Sequence, residues 1–131
     1  MPLAKDDLLE IHEKMIEKYG GAHGILNEGT LDYAVFQATK AKHFREEAAV
    51  LLEIIAREHP FVDGNKRTAF AAADATVRLN GYRIVVQDDE AIAFLLKVAQ
   101  GKASHKRVIG WIEDRLKRLP SSFRGDNNGQ G

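Results

Sequence analysis

Within nine residues, His59-Pro60-Phe61-Val62-Asp63-Gly64-Asn65-Lys66-Arg67, the chain gathers an imidazole, a carboxylate, an amide and two cations around a glycine. Each type has a task in moving phosphate. His59 is the candidate general base, because imidazole is neutral near physiological pH and still accepts a proton from a hydroxyl. Asp63 offers a hard oxygen suited to a magnesium ion that also touches substrate phosphates. Asn65 and backbone N–H groups are placed to hold an oxyanion, and Gly64 lets the backbone come close. Lys66 supplies a point charge, Arg67 a bidentate clamp on phosphate oxygens. The set reads as phosphoryl or nucleotidyl transfer to a hydroxyl. Singly, each residue has a plainer role: His59 ending a helix, Asp63 capping one, Lys66 and Arg67 as surface charge. Together they favour chemistry over scaffold.

Two helices must position this loop. Ala48 to Glu58 is apolar enough for a buried helix, and Pro60 pushes His59 out of the α region, so that helix ends there. Thr68 to Leu79 is Ala-rich and closed by Asn80-Gly81, a second helix with a stop signal. It starts near Asn65 or Lys66, which turns its free N–H groups and positive dipole end into the loop. A helix N-terminus behind a glycine is a ready anion site, and phosphate is the natural guest.

The pattern His59-x-Phe61-x-Asp63-Gly64-Asn65-x-Arg67 resembles the signature loop of the Fic/Doc family, with six specified residues within nine. Similarity extends outward to Gly20-Gly21-Ala22-His23-Gly24-Ile25, to Gly29-Thr30-Leu31-Asp32-Tyr33-Ala34 and to Asn80-Gly81-Tyr82, over roughly residues 5–119. The resemblance implies an all-α fold: a helical bundle of about six or seven helices with a small extended flap beside the active loop. It also implies ATP and Mg2+ as cofactors.

Fic-type AMP transferases usually carry glycine where this chain has Lys66, and a second arginine three residues after the first. Here that later position is Phe70. This is the Doc-type form, which implies a Mg-ATP-dependent kinase: the γ-phosphate goes to a threonine of elongation factor Tu and translation stops. An AMP transferase remains the alternative, since base, metal ligand and first arginine are intact. A catalytically silent binding module is a third. Many Fic proteins hold an inhibitory helix with serine or threonine four residues before glutamate, and no serine or threonine here has that spacing. A small antitoxin acting in trans, bound along the helices flanking the flap, is therefore the implied partner. The flap itself, which holds the target in extended form, would correspond to Val35 to Phe44, with Gln37, Ala38, Thr39 and Lys40 at its centre. A solvated connecting loop is the plain alternative there.

The rest of the chain frames these elements. At 131 residues, 1–119 should form one domain and 120–131 a flexible tail with almost nothing to bury. Apolar content of 44% and charged content of 29% are those of a soluble globular protein. Formal net charge is zero, which argues against direct nucleic-acid binding, and without cysteine there is no thiol or zinc–thiolate chemistry. No apolar run suits a signal peptide or membrane span, so a cytoplasmic protein is expected.

Asp6 or Asp7 should cap a first helix with a Leu8, Ile11, Met15, Ile16, Tyr19 stripe ended by Gly20-Gly21. His12 beside that stripe reads as a hydrogen-bonded, half-buried histidine, and His23 receives no role. Gly20 to Gly29 is a structural loop, and a short helix runs from about Thr30 to Phe36. Tyr82 to Val86 leans to β but is too isolated for a sheet. Asp88 should cap a helix burying Ile92, Leu95, Leu96 and Ala99; Ser104 should cap a last one running to Leu119 with Trp111 as core anchor.

Overall fold

The computed structural model describes residues 2–120. In chain order these form α1 (Lys5–Tyr19), α2 (Glu28–Thr39), α3 (Phe44–Glu58), α4 (Asn65–Arg78), β1 (Tyr82–Ile84), α5 (Asp88–Ala99), α6 (His105–Asp114) and β2 (Leu116–Arg118). The class is all-α, with six helices and one two-stranded ribbon among the described residues. α3 and α4 form the central pair: α3 packs on α2, α4, α5 and α6, and α4 on α1, α5 and β1. Ala48, Ala49 and Ala56 on α3 and Ala69, Ala72 and Ala73 on α4 are all buried. Short side chains at a helix contact let the two axes approach closely. The loop from His59 to Gly64 is thus strung between the two best-anchored helices.

Helix entries differ from expectation by a residue or a turn. Ala4, not an aspartate, precedes α1, and Asp7 sits at the third helical position where its carboxylate accepts the Ala4 N–H at 2.7 Å. α2 begins earlier, with Asn27 as its cap accepting from the Thr30 N–H at 3.1 Å. It also ends later. Gln37, Ala38 and Thr39, expected at the centre of an extended flap, form its last turn, and Lys40 caps it in right-handed helical conformation. Leu31, Ala34 and Ala38 explain this: they carry one buried stripe at helical spacing past the expected end at Phe36. The extended piece beside the active loop is Gly20 to Asn27 instead. Its Ile25 bridges Phe61 antiparallel, with Leu26 N–H to Pro60 O at 2.7 Å and Val62 N–H to Gly24 O at 3.1 Å.

The C-terminal third shows two further corrections. Gln87 rather than Asp88 caps α5, and its buried face is Ala91, Phe94, Leu95 and Val98, while Ile92 and Leu96 are nearly half exposed. Phe94 sets that rotation by stacking on Trp111, centroids 4.3 Å apart and planes 5° from parallel. Trp111 is the core anchor expected, and Ser104 caps α6, accepting the Arg107 N–H at 3.1 Å. α6 stops at Asp114, however, and Leu116–Arg118 pairs antiparallel with Tyr82–Ile84. The Tyr82 segment is therefore not isolated. Among the described residues no helix is long and apolar enough to cross a membrane. The tail expected over 120–131 lies outside the described residues, save for Pro120.

Candidate active site

α3 ends where the sequence places its end. His59 takes a left-handed conformation (φ 51°, ψ 60°), and it is the one non-glycine residue with positive φ among those described. Pro60 disfavours the right-handed alternative and has no N–H to continue the ladder. Such a conformation costs a non-glycine residue roughly 1–2 kcal/mol, a strain typical of functional positions. The turn leaves the imidazole exposed, with Nδ1 3.0 Å from the Arg57 carbonyl. A carbonyl only accepts, so Nδ1 carries the hydrogen and donates. Neutral His59 therefore presents a bare Nε2, the lone pair a general base needs.

The next residues turn inward. Phe61 is fully buried, and the Asn65 amide clips it: Oδ1 accepts the Phe61 N–H and Nδ2 donates to the Phe61 carbonyl, both at 2.9 Å. Asn65 was expected among the phosphate contacts, but its buried side chain closes the loop on itself. Gly64 follows with φ 80°, as N-cap of α4. A Cβ there would lie 3.1 Å from Ile16 Cδ1, so this position needs glycine for both conformation and space. The first bond inside α4 runs from Thr68 N–H to Gly64 O, which leaves the N–H groups of Asn65, Lys66 and Arg67 without helical acceptors.

Asp63 is exposed, but its orientation is set. Its Oδ2 accepts the Ala22 N–H at 2.8 Å, and its carbonyl is 2.8 Å from His12 Nε2. The glycine pair is what allows the first contact, since a Cβ on Gly21 would sit 3.2 Å from Asp63 Cβ. Arg67 lies with its guanidinium carbon 3.7 Å from the Tyr19 ring centroid, a contact that fixes a side chain otherwise free to roam.

His59, Asp63, Gly64, Asn65, Lys66 and Arg67 all line one open cleft of about 550 Å³, closed on the far side by Met15, Tyr19, Gly20 and Gly21. Gln37 to Lys40 do not line it. A neighbouring cavity of about 290 Å³ between α1, α4 and α5 shares Met15, Tyr19, Lys66 and Arg67 with the cleft. Tyr19 and His12 are the contributors that residue type alone did not single out for the site. Tyr19 stands directly before the glycine pair, and His12 is a polar interruption in the apolar face of α1. Those were the available signals.

The donor set also bears on a metal. Among the described residues no three His, Cys, Asp or Glu side chains cluster as a cage. One exposed carboxylate beside a helix N-terminus and two cations is instead the arrangement in which Mg2+ is held jointly by protein and substrate phosphates. The residues present fit that ion.

Comparison with known proteins finds a matching family and named relatives. A family model described as the Fic/DOC family matches residues 2–76. The chain is 28% identical over 127 residues to a protein named protein kinase doc from Escherichia phage P1, covering 92% of this chain and 96% of that one. It is 40% identical over 78 residues to a protein named toxin Doc from Mycolicibacterium smegmatis, covering 54% of this chain and 60% of the relative.

Proposed function

Since the chain belongs to the Fic/DOC family, we propose that it is a Doc-like toxin that transfers the γ-phosphate of ATP to a hydroxyl of a target protein. One observation carries the reading. His59 with its bare Nε2, Asp63, and the open N-terminus of α4 with Lys66 and Arg67 all line one cleft. Nε2 removes the proton of the target hydroxyl as its oxygen bonds to the γ-phosphorus. The bond from that phosphorus to the β–γ bridging oxygen breaks, and its electron pair leaves with ADP. Asp63 would hold Mg2+, which when bound neutralises phosphate charge. Lys66, Arg67 and the free N–H groups of α4 receive the phosphate oxygens; Gly64 lets them approach, and Asn65 keeps the loop shut around Phe61.

Lys66 and Phe70 favour the γ-phosphate, because a bulky cation and a missing second arginine alter which phosphate reaches the base. The relative named a protein kinase supports the same choice. By resemblance the target is a threonine of elongation factor Tu, which makes the protein a cytoplasmic inhibitor of translation. The relative named a toxin, and the lack of an inhibitory serine- or threonine-to-glutamate spacing, support an antitoxin partner in trans. AMP transfer is the second reading, since base, carboxylate and first arginine serve it equally.

The test is a transfer assay in cell extract with α-labelled and γ-labelled ATP in parallel and His59→Ala as control. A γ-labelled band, lost in the variant by a factor of about a hundred or more, is expected. An α-labelled band would replace the kinase reading by AMP transfer. No band in either lane with purified elongation factor Tu added would remove it as the target.

A further inference from the structure

His12 lies in the middle of α1, 51 residues before Asp63 in sequence, and is only 2% exposed. Its ring is stacked on Phe61, centroids 3.7 Å apart and planes 4° from parallel. Nε2 sits 2.8 Å from the Asp63 carbonyl, which can only accept, so His12 donates there. The other ring nitrogen is 3.6 Å from Glu13 Oε2, too far for a good hydrogen bond, and the Glu13 carboxylate is itself bonded to His23 Nδ1 at 2.9 Å. The contact to Asp63 is thus the ring's working hydrogen bond.

A peptide unit is planar, so fixing the Asp63 carbonyl fixes the Asp63–Gly64 plane. That plane sets the Asp63 Cα, from which the carboxylate reaches the Ala22 N–H, and it sets the entry into α4, whose free N–H groups form the anion site. One donor on α1 therefore governs two parts of the cleft. We infer that His12 is a positioning residue: by holding the Asp63–Gly64 peptide it sets the affinity of the cleft for a divalent metal–nucleotide complex. It touches no substrate. The metal clause rests on the transferase reading above; the loop clause does not.

Two variants separate this role from plain core packing. His12→Phe keeps the ring against Phe61 and removes the donor; His12→Gln restores a donor and gives up the ring. The binding probe is Mn2+ with ADP, followed by calorimetry, and the second readout is amide hydrogen exchange over residues 63–66 without nucleotide. Outer contacts to a metal ligand typically change metal affinity ten- to a hundredfold, so His12→Phe should weaken Mn2+–ADP binding by about tenfold or more, with His12→Gln close to the parent. Exchange in the loop should quicken by about tenfold in His12→Phe, the scale of one lost hydrogen bond, and be restored in His12→Gln.

If binding and exchange instead follow melting temperature, with the glutamine variant worse than the phenylalanine one, His12 is packing only and the inference is overturned. Unchanged exchange in His12→Phe overturns it as well. A parent protein that binds no Mn2+–ADP sinks the transferase reading and the metal clause with it; the exchange result then decides the loop clause on its own.

Discussion

Replacing Asn65 with alanine distinguishes a loop clip from a phosphate ligand. The residue is 8% exposed, and its two side-chain polar atoms bond the N–H and the C=O of Phe61 at 2.9 Å each. Alanine removes both bonds and leaves a donor and an acceptor unpaired beside a fully buried ring. Each such orphan costs about 1–3 kcal/mol, so the pair costs about 2–6 kcal/mol. Water entering from the cleft holds the value toward the lower half, about 3 kcal/mol. For a domain of this size that corresponds to a fall in melting temperature of about 10 °C. Calorimetric or circular-dichroism melting of the nucleotide-free protein measures it. Asn65→Asp should fall at least as far, because it sets an acceptor against the Phe61 carbonyl. A melting temperature within about 2 °C of the parent, with nucleotide affinity down about tenfold, would refute the clip and return the Asn65 side chain to the phosphate contacts.

Gly64→Ala forces a left-handed φ of 80° on a residue with a Cβ and presses it to 3.1 Å from Ile16 Cδ1. It should destabilise by about 1–3 kcal/mol in denaturant titration, and an unchanged midpoint would contradict the glycine requirement. Tyr19→Ala removes the ring beneath Arg67 but leaves the core intact, so nucleotide KM should rise about two- to thirtyfold, the range of a cation–π contact, with melting nearly unchanged. Burial raises the Glu47 carboxyl above its ordinary value, so the folded chain binds that proton more tightly than the unfolded one. Its contribution is present below the unfolded value and lost as pH rises through the folded one. Glu47→Gln should therefore gain on the parent in denaturation midpoint from acid to neutral pH; a pH-independent difference would count against it.

Much of the site was legible because its residues are local. The ends of α3 and α4 follow from Pro60, Gly64 and Asn80-Gly81, and a nine-residue loop cannot scatter its side chains far. What escaped sequence reasoning was non-local. Nothing in the chain near Asn65 says that its amide turns back onto Phe61 rather than outward, because that depends on Phe61 being buried against His12 from another helix. The rotation of α5 was misread for the same reason. Ile92 and Leu96 are as apolar as Phe94 and Val98, and only the Phe94–Trp111 stack decides between the two faces. At Gln37 to Thr39 the error was one of weight. Basic residues further on drew the helix end too early, although Ala38 kept the buried spacing of Leu31 and Ala34. The extended piece emerged from the glycine-rich loop instead, where three positive-φ glycines let the chain run against Pro60 and Phe61.

Position 70 ties the chemistry of the cleft to the packing behind it. On the proposed reading, a second arginine here would serve a second phosphate site; this chain has Phe70. Its ring meets Trp111 edge-on, centroids 6.4 Å apart at 79°, and Trp111 is stacked in turn on Phe94. Residue 70 thus belongs to the α4–α5–α6 contact as well as to the cavity wall. An arginine placed there would lose the edge contact, worth about 0.5–1.5 kcal/mol beyond its area, and would have to find room for a charge beside Trp111. The cations of α4 that line the cleft are then Lys66 and Arg67, the latter held by Tyr19, both at the helix terminus nearest His59. On the proposed reading, binding strength concentrated at that one point would favour the phosphate closest to the base. A preference for the terminal phosphate would then rest on the Phe70–Trp111 contact behind α4 as well as on the loop itself.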